Sequence, residues 1–175
     1  HKQRLFDLPV SYVVNAIYGK WEDDTKSSWH EDYNIYFSRD TIKISEKMNL
    51  NLGTGYQIVK ESYNNSEVDK FSYDITLSNN FDKKWNGWIG YHYVQNNTNI
   101  FAYDNDDLSR ELTTGINYVI DDKNSLSFTQ SYDLDSNSVY DQDYTWYRDL
   151  HCLKASLTYR AKREEIKFRI GIKEW

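Results

Sequence analysis

The chain has almost none of the residues that cross-link or interrupt a small fold. Its 175 residues include one cysteine, one proline and one methionine. Because Cys152 is alone, a disulfide within the chain is excluded, and with it the framework of many small secreted domains. There is also no run of about 18 apolar residues, which excludes a membrane-spanning helix. Strands of a membrane β-barrel are not excluded, because they are apolar only at alternate positions.

The chain also lacks an excess of positive charge. Its 21 Lys and Arg residues against 27 Asp and Glu residues give a net charge of -6. This balance argues against a general electrostatic attraction to nucleic acid. The chain starts with His1 and shows no signal sequence, so we expect a processed product or a piece of a longer protein.

Motifs that carry chemistry are missing too. There is no Gly-x-Ser-x-Gly elbow, and the four histidines have no metal-ligand spacing. The acidic clusters lack the glycine and terminal glutamate of a calcium loop. Gly53-Thr54-Gly55 has no third glycine or following helix, so we interpret both glycines as making room for crowded neighbours in a strand. We therefore expect a protein that is not an enzyme and has no metal site and no cofactor.

Aromatic residues and strict alternation are what the chain has in quantity. It contains 16 Tyr, 7 Phe and 6 Trp residues, a composition typical of β-structure. Apolar residues recur at every second position, and no segment keeps a helical period. This pattern predicts ten strands, at 8–21, 29–37, 42–58, 71–77, 89–93, 112–120, 126–134, 139–147, 152–160 and 165–175. The apolar residues change parity between Trp146 and Leu153, which predicts a tight turn at 148–151.

Predicted connection lengths alternate between long and short. Segments 22–28, 60–69 and 96–109 are long and polar, whereas 38–40, 79–84 and 121–124 are short. Long outer loops and tight periplasmic turns are typical of outer-membrane barrels, in which an even strand count returns both ends to the periplasm. We therefore predict an all-β, antiparallel transmembrane β-barrel of about ten strands in the bacterial outer membrane. Residues 1–175 would form a single barrel domain or a fragment of a larger barrel.

A soluble β-sandwich or lipocalin-like barrel also has alternating strands, with the apolar face inward. Three features favour the membrane: strand lengths near those needed to cross a bilayer, Tyr and Trp near strand ends, and a broad, charged polar face. Periodicity alone leaves both folds open.

Basic residues collect on the polar faces of the last two predicted strands. There are five of them: Lys154, Arg160, Lys167, Arg169 and Lys173. If this face lines an interior, these side chains can donate to a phosphorylated or carboxylated cargo. The alternative is that they keep the interior hydrated and an edge strand from aggregating.

The C-terminal part of the chain resembles a known family. The segments SFTQSYDL at 127–134, YRDLHCLKASLTYR at 147–160 and IKFRIGI at 166–172 resemble the end of the lipopolysaccharide-assembly protein family LptD, also called OstA. In that family a tyrosine-ended strand leads to a cysteine-containing periplasmic turn, an apolar strand and the last strand of the barrel. The specific match covers roughly the last 50 residues.

The resemblance implies a transporter that inserts lipopolysaccharide into the outer leaflet through a lateral gate between its first and last strands. Its partners would be lipopolysaccharide, outer-membrane lipid, an LptE-like plug lipoprotein and a periplasmic Lpt bridge. The gate strand would be 165–175, with the residues Ile166, Phe168, Ile170, Ile172 and Trp175. Lys167, Arg169 and Lys173 would face lipid phosphates. Well-known members have two adjacent cysteines, whereas only Cys152 here could form a disulfide to another segment.

Two other functions stay open on the sequence. One is a self-contained ten-stranded outer-membrane barrel, acting as a small porin, an adhesin or a hydrolase. The other is a soluble, lipocalin-like β binding protein with a site lined by Trp and Tyr.

Overall fold

A computed structural model describes residues 3–96, 98, 101 and 106–172, and this part of the chain contains strands and turns but no helix. The all-β prediction is confirmed. The strands are β1 (Gln3–Arg4), β2 (Val10–Glu22), β3 (Ser27–Arg39), β4 (Ile42–Lys43), β5 (Met48–Glu61), β6 (Ser66–Asn80), β7 (Trp85–Gln95), β8 (Arg110–Val119), β9 (Asn124–Asp133), β10 (Ser138–Asp149), β11 (Leu153–Arg160) and β12 (Glu165–Ile172).

The strands form one antiparallel, hydrogen-bonded order that follows the chain. The order is β1-β2-β3-β5-β6-β7-β8-β9-β10-β11-β12, and the short β4 pairs with β5. Ten of these strands correspond to the ten predicted ones, β1 is an added two-residue strand, and β4 is the start of the predicted strand 42–58. Within the described residues the order is linear, so closure into a barrel and a transmembrane position stay predictions.

The third predicted strand, 42–58, is interrupted in the structure. The Ser45 hydroxyl accepts the backbone N–H groups of Lys47 and Met48, and the Ile44 N–H bonds to the Met48 carbonyl at 2.9 Å. These bonds close a turn between β4 and β5. The alternation predicted one long strand because the turn leaves the parity of the apolar residues unchanged.

The prediction of alternating connection lengths was wrong. β2 and β3 are separated only by 23–26, and β5 and β6 only by 62–65. The strands run on through polar residues that the sequence assigned to loops, because these residues pair across strands: Lys60 Nζ lies 3.0 Å from Glu67 Oε2. The connection between Gln95 and Arg110 is long, as predicted, and the turn between β10 and β11 falls at 150–152, where 148–151 was predicted.

The residues group into two compact units. Unit 1 comprises His1–Ile42, Asn51–Ile75 and His92–Arg110, and unit 2 comprises Lys43–Leu50, Thr76–Tyr91 and Glu111–Trp175. In unit 1, β2 and β3 pair without a shift from Val10↔Arg39 to Glu22↔Ser27, and β3 pairs with β5. Whether 1–175 is a single domain stays a prediction.

Unit 2 contains the pairs β8–β9, β9–β10, β10–β11 and β11–β12, and one register shift between Val139 and Asp141 interrupts them. Gly115 lies under the indole ring of Trp88: a Cβ at this position would come within 2.1 Å of the ring. A glycine is therefore required if the ring is to cross the neighbouring strand.

Three turns of unit 2, at 44–48, 81–85 and 120–124, are built alike. In each, a side-chain oxygen accepts the N–H groups two and three residues further on, and the first N–H of the turn bonds to the last carbonyl. The accepting side chains are Ser45, Asp82 and Asp121. Ser and Asp favour such turns because their side chains replace a backbone acceptor.

Candidate functional site

In β3 the polar side chains are packed and the apolar side chains are exposed. In β3, Ser28, His30 and Asp32 are 2%, 0% and 8% exposed, whereas Trp29 and Tyr33 are 51% and 46% exposed. The alternation of the predicted strand 29–37 places Trp29 and Tyr33 on one face and His30 and Asp32 on the other, and the structure confirms this division. A water-soluble sheet buries its apolar side, so this arrangement is inverted. The enclosed groups that could bind or react therefore lie on the polar face.

A buried histidine–glutamate pair is the most enclosed polar contact in unit 1. His30 lies directly opposite Glu61 in the β3–β5 ladder, and Nδ1 is 2.6 Å from the accepting Oε1. The Trp21 indole stacks on the imidazole with ring centroids 3.7 Å apart. Within the described residues, His30 Nε2 and Glu61 Oε2 have no hydrogen-bond partner. The pair therefore holds its geometry through one short bond and one aromatic stack.

A second polar network in unit 1 joins three strands. The Tyr36 hydroxyl donates to Asp74 Oδ2 at 2.9 Å, and His92 Nδ1 lies 2.6 Å from Asp74 Oδ1. Tyr36 reaches Asp74 by crossing β5 above Gly53, where a Cβ would come within 1.8 Å of the hydroxyl oxygen. The interpretation of this glycine as making room for a crowded neighbour is confirmed. A cavity of about 120 Å³ lies against His92 and Lys70.

Arg160 is surrounded by acids in unit 2. Its guanidinium bonds to Asp141, lies 3.4 Å from Asp143 Oδ1 and lies 3.5 Å from Glu165 Oε2. Arg163 Nη2 contacts the same Asp141 carboxylate at 3.2 Å. Arg160 is thus neutralised by its neighbours, and its first role is to hold β10, β11 and the start of β12 together.

The structure brings three of the five predicted cations together. Arg160, Lys167 and Arg169 line one cavity of about 350 Å³ on the polar face of unit 2. The other lining residues are mostly hydroxyl-bearing: Ser127, Thr129, Thr145, Tyr147 and Thr158, with Asp143. Lys154 lies apart, in a cavity of about 500 Å³ that it shares with Asp149 and turn residues. Lys173 lies outside the described residues.

The three cations differ in how much of their charge is satisfied. Lys167 Nζ lies 3.4 Å from Glu165 Oε2, and Arg160 has three acidic neighbours. Within the described ranges, Arg169 forms no ion pair and no side-chain hydrogen bond. Arg169 is therefore the cation best able to bind an anionic group from outside the chain.

The predicted gate strand corresponds to β12, which pairs with β11 from Leu153↔Ile172 to Arg160↔Glu165. Its apolar side chains are among the most exposed of the chain: Ile166 70%, Phe168 63%, Ile170 56% and Ile172 83%. Trp175 lies outside the described residues. β11 is the only hydrogen-bonded neighbour of β12 in the described part of the chain, so β12 is an edge strand there.

The predicted disulfide residue, Cys152, is an exposed free thiol in the turn between β10 and β11. This turn is shaped by Asp149, whose Oδ1 accepts the His151 N–H at 2.9 Å. The thiol is accessible to another segment, and the disulfide itself stays a prediction.

Several acids outside the strands organise turns. The backbone N–H of Thr25 holds the pKa of Asp23 below its usual value, and the N–H groups of Lys84 and Lys123 do the same for the pKa of Asp82 and of Asp121. Among the described residues, no group of three or more His, Cys, Asp or Glu side chains could hold a metal ion. The carboxylates of these turns are thus occupied by backbone donors.

Sequence reasoning missed both histidine–carboxylate pairs. His30 was placed on a polar face, but Glu61 fell in the predicted connection 60–69, so its position opposite His30 was not considered. Asp74 and His92 occupy polar-face positions of β6 and β7, and their pairing depends on strand register, which alternation does not supply. A signal was present: His30, Asp74 and His92 are ionisable residues at alternate positions opposite the apolar ones.

No helix in the described part of the chain is long and apolar enough to cross a membrane. No family model, curated protein or solved structure matches the chain. The likeness of the C-terminal segments to the LptD family therefore stays a prediction, and the function has to be argued from the residues themselves.

Proposed function

We propose that the chain is an outer-membrane β-barrel protein, or part of one, that passes lipopolysaccharide along its polar interior. The observation that carries the membrane position is the inverted burial of the sheet. In β3, His30 is fully buried while its neighbour Trp29 is 51% exposed. A bilayer stabilises this arrangement because the apolar face contacts hydrocarbon and the polar face contacts an aqueous interior.

The size of the exposed apolar face supports the same proposal. On β12 alone, four large apolar side chains are each more than half exposed, and β11 adds Leu157 at 41%. The largest apolar patch on a soluble monomer is typically about 300–600 Å². An apolar face that continues over neighbouring strands is expected to meet lipid rather than water.

The polar cavity of unit 2 supports an anionic, sugar-rich cargo. It combines hydroxyl groups, which suit carbohydrate, with Arg169, which is free to bind a phosphate or carboxylate. Lipopolysaccharide carries both kinds of group. The resemblance of residues 127–134, 147–160 and 166–172 to the LptD family adds a route, in which cargo leaves sideways at β12.

The proposal extends to the partners that the resemblance implies. An LptE-like lipoprotein would fill the interior, and a periplasmic Lpt bridge would deliver the cargo. Cys152 would face the periplasm and could bond to a periplasmic segment. The exposed thiol in the turn 150–152 is compatible with this role.

The membrane position is tested with the purified chain. We expect it to need detergent to remain monodisperse and, on SDS gels, to migrate faster unheated than boiled, because a closed barrel resists SDS until it is heated. A chain that is monomeric without detergent and shows no heat shift would contradict the membrane position.

The cargo is tested by photocrosslinking in cells. A photoreactive residue at Thr158 faces the polar cavity, and one at the neighbouring Leu157 faces away from it and serves as the matched control. We expect lipopolysaccharide adducts at 158 that decrease in the Arg169→Gln variant while the heat shift is unchanged. Equal adducts at 158 with and without Arg169 would remove this residue from the cargo path.

A further inference from the structure

Three charged residues follow one another on the polar face of β12. Glu165, Lys167 and Arg169 are spaced two residues apart, so their side chains lie on one face, about 6.8 Å apart along the strand. In the β11–β12 ladder Glu165 lies opposite Arg160, and Lys167 lies opposite Thr158. Lys167 and Arg169 line the polar cavity of unit 2, and Glu165 precedes this pair of cations by one pleat.

The Glu165 carboxylate is shared by two cations. Its Oε2 lies 3.4 Å from Lys167 Nζ and 3.5 Å from Arg160 Nη1. Arg160 has two further acids, because Asp141 bonds to its guanidinium and Asp143 Oδ1 lies 3.4 Å away. Within the described part of the chain, Glu165 is the one acid that forms an ion pair with Lys167. Removal of the Glu165 charge would therefore leave Arg160 neutralised and would leave Lys167 without a counter-charge.

The contact between Glu165 and Lys167 can be exchanged for another. The two side chains are 44% and 35% exposed, and ion pairs of this kind contribute little to stability. The lysine ammonium is a point charge on a flexible stem, so it can turn from a carboxylate to a phosphate without a change in the backbone. An anionic group bound by Arg169 thus meets a second cation that an acid of the chain already occupies weakly.

We propose that Glu165 competes with the cargo phosphate for Lys167, so that the phosphate must displace this carboxylate before Lys167 and Arg169 can bind it together. Glu165 does not touch the cargo in this role. It is a positioning residue that acts through the Lys167 ammonium. The inference rests on the proposed function, because it takes a phosphate-bearing cargo from there.

The competition limits how tightly the cargo is bound. A phosphate held by both cations would make several charge-assisted hydrogen bonds, which are the strong ones. A path that passes cargo onward needs binding that is weak enough for release. When a phosphate replaces Glu165 at Lys167, one ion pair is lost for each one gained, so the second cation adds less affinity than a free lysine would.

The test measures binding to the full chain in detergent by isothermal titration calorimetry. The probe is lipopolysaccharide from which all acyl chains have been removed and in which the phosphates are kept, so that contact with hydrocarbon does not contribute. The same oligosaccharide after phosphatase treatment is the comparison. The heat shift on SDS gels checks that each variant is folded.

The variants isolate one ion pair. Glu165→Gln removes the competing charge and keeps the size of the side chain. Glu164→Gln is the matched control, because it makes the same change one residue earlier, where Glu164 is exposed and forms no ion pair among the described residues. Lys167→Gln is measured alone and together with Glu165→Gln, which completes a double-mutant cycle.

We expect Glu165→Gln to bind the phosphorylated oligosaccharide about threefold to fivefold more tightly than the wild type, which is the upper part of what a partly exposed ion pair contributes. Glu165→Ser, which also removes the charge, should show the same gain, and Glu164→Gln should bind like the wild type. Lys167→Gln should lower the affinity by less than about twofold in the wild-type chain, but by about threefold to fivefold in the Glu165→Gln background, where the ammonium is free. Binding of the phosphatase-treated comparison should be the same in all chains.

Three results would overturn the inference. If neither neutral variant at position 165 gains affinity while the heat shift is kept, this inference alone fails, because a purely structural role of Glu165 predicts no gain. An equal gain in Glu164→Gln, or a gain in Glu165→Gln that persists with Lys167→Gln, would reduce the effect to net charge. Failure of every chain to bind the phosphorylated oligosaccharide would contradict the proposed cargo, and this inference with it.

Discussion

Replacing Leu157 with arginine tests whether the apolar face contacts a bilayer or water. Leu157 lies in β11 opposite Trp146 and Phe168 and is 41% exposed. Leu150 is the matched control: it is also a leucine, it is 45% exposed, and it lies in the turn before β11. The two Leu→Arg changes therefore differ in position along the strand and hardly at all in exposure.

The expected magnitudes follow from depth. From Leu153 to Leu157 the strand advances about 13 Å, or roughly 10 Å of depth at a tilt near 40°. In the proposed barrel this would place Leu157 near the middle of an apolar band about 25 Å tall, where an arginine costs about 2–4 kcal/mol, and Leu150 at the rim, where it costs about 0–1 kcal/mol. In water, both changes are surface substitutions worth about 0.5 kcal/mol or somewhat more, because the arginine stem keeps part of the leucine packing.

The assay is urea unfolding of both variants after folding into lipid vesicles. We expect Leu157→Arg to lower the free energy of unfolding by about 2–3 kcal/mol more than Leu150→Arg does. Equal losses within about 0.5 kcal/mol would refute the assignment of this face to lipid. A Leu157→Arg chain that folds without detergent would refute it as well.

Three further predictions concern the polar face and the turns. Glu61→Ala leaves His30 buried without its acceptor and should lower the free energy of unfolding by about 3–5 kcal/mol in the same assay. Glu61→Gln should lower it less. A loss under about 1 kcal/mol in Glu61→Ala would show that the pair is not buried as described. Gly115→Ala should lower the free energy of unfolding by about 1–3 kcal/mol, because the indole ring above it must move. Gly171→Ala is the control and should be nearly neutral, because its Cβ would meet nothing within 4 Å. Equal losses of stability in the two variants would contradict the packing of Trp88 on Gly115. Asp121 has a lowered pKa in the folded chain, so its stabilisation is present above about pH 4 and is lost as the pH falls through the folded value. Asp121→Ala should therefore destabilise the chain more at pH 7 than at pH 2. Asp121→Asn, which also removes the titrating carboxyl but keeps an acceptor oxygen, should show the same pH dependence with a smaller loss at each pH.

Alternation predicted the strands and faces well because it reports the pleat directly. The division of Trp29 and Tyr33 from His30 and Asp32 needed only the two-residue period of a strand. What alternation cannot detect is an interruption that preserves parity. The turn closed by Ser45 is of this kind, since apolar residues on both sides of it have even numbers.

Polarity was a poor guide to where strands end. Lys60 and Glu61 were assigned to a loop because they are charged, yet each has a cross-strand partner in the structure. Glu61 continues the strand on its packed polar face by pairing with His30, and Lys60 continues it on the other face through a partly exposed ion pair with Glu67, so the usual rule that charge marks a loop fails here. The same rule hid the candidate site, because the pair of Glu61 with His30 requires a strand that continues to residue 61.

The position of the ionisable residues distinguishes this sheet from the sheet of a soluble protein more clearly than the position of its apolar residues does. Exposed apolar side chains are common on soluble proteins, but fully buried ionisable groups are rare unless they are paired. Here the buried pair of His30 with Glu61 and the partly buried pair of Arg160 with Asp141 lie on the face opposite the exposed aromatics. In a soluble sheet packed by its apolar face, these ionisable groups would be exposed to water. An exposed ion pair contributes only about 0–1 kcal/mol to stability. Pairing is needed when the polar face is enclosed, and the proposed membrane position would supply the hydrocarbon that covers the open apolar face.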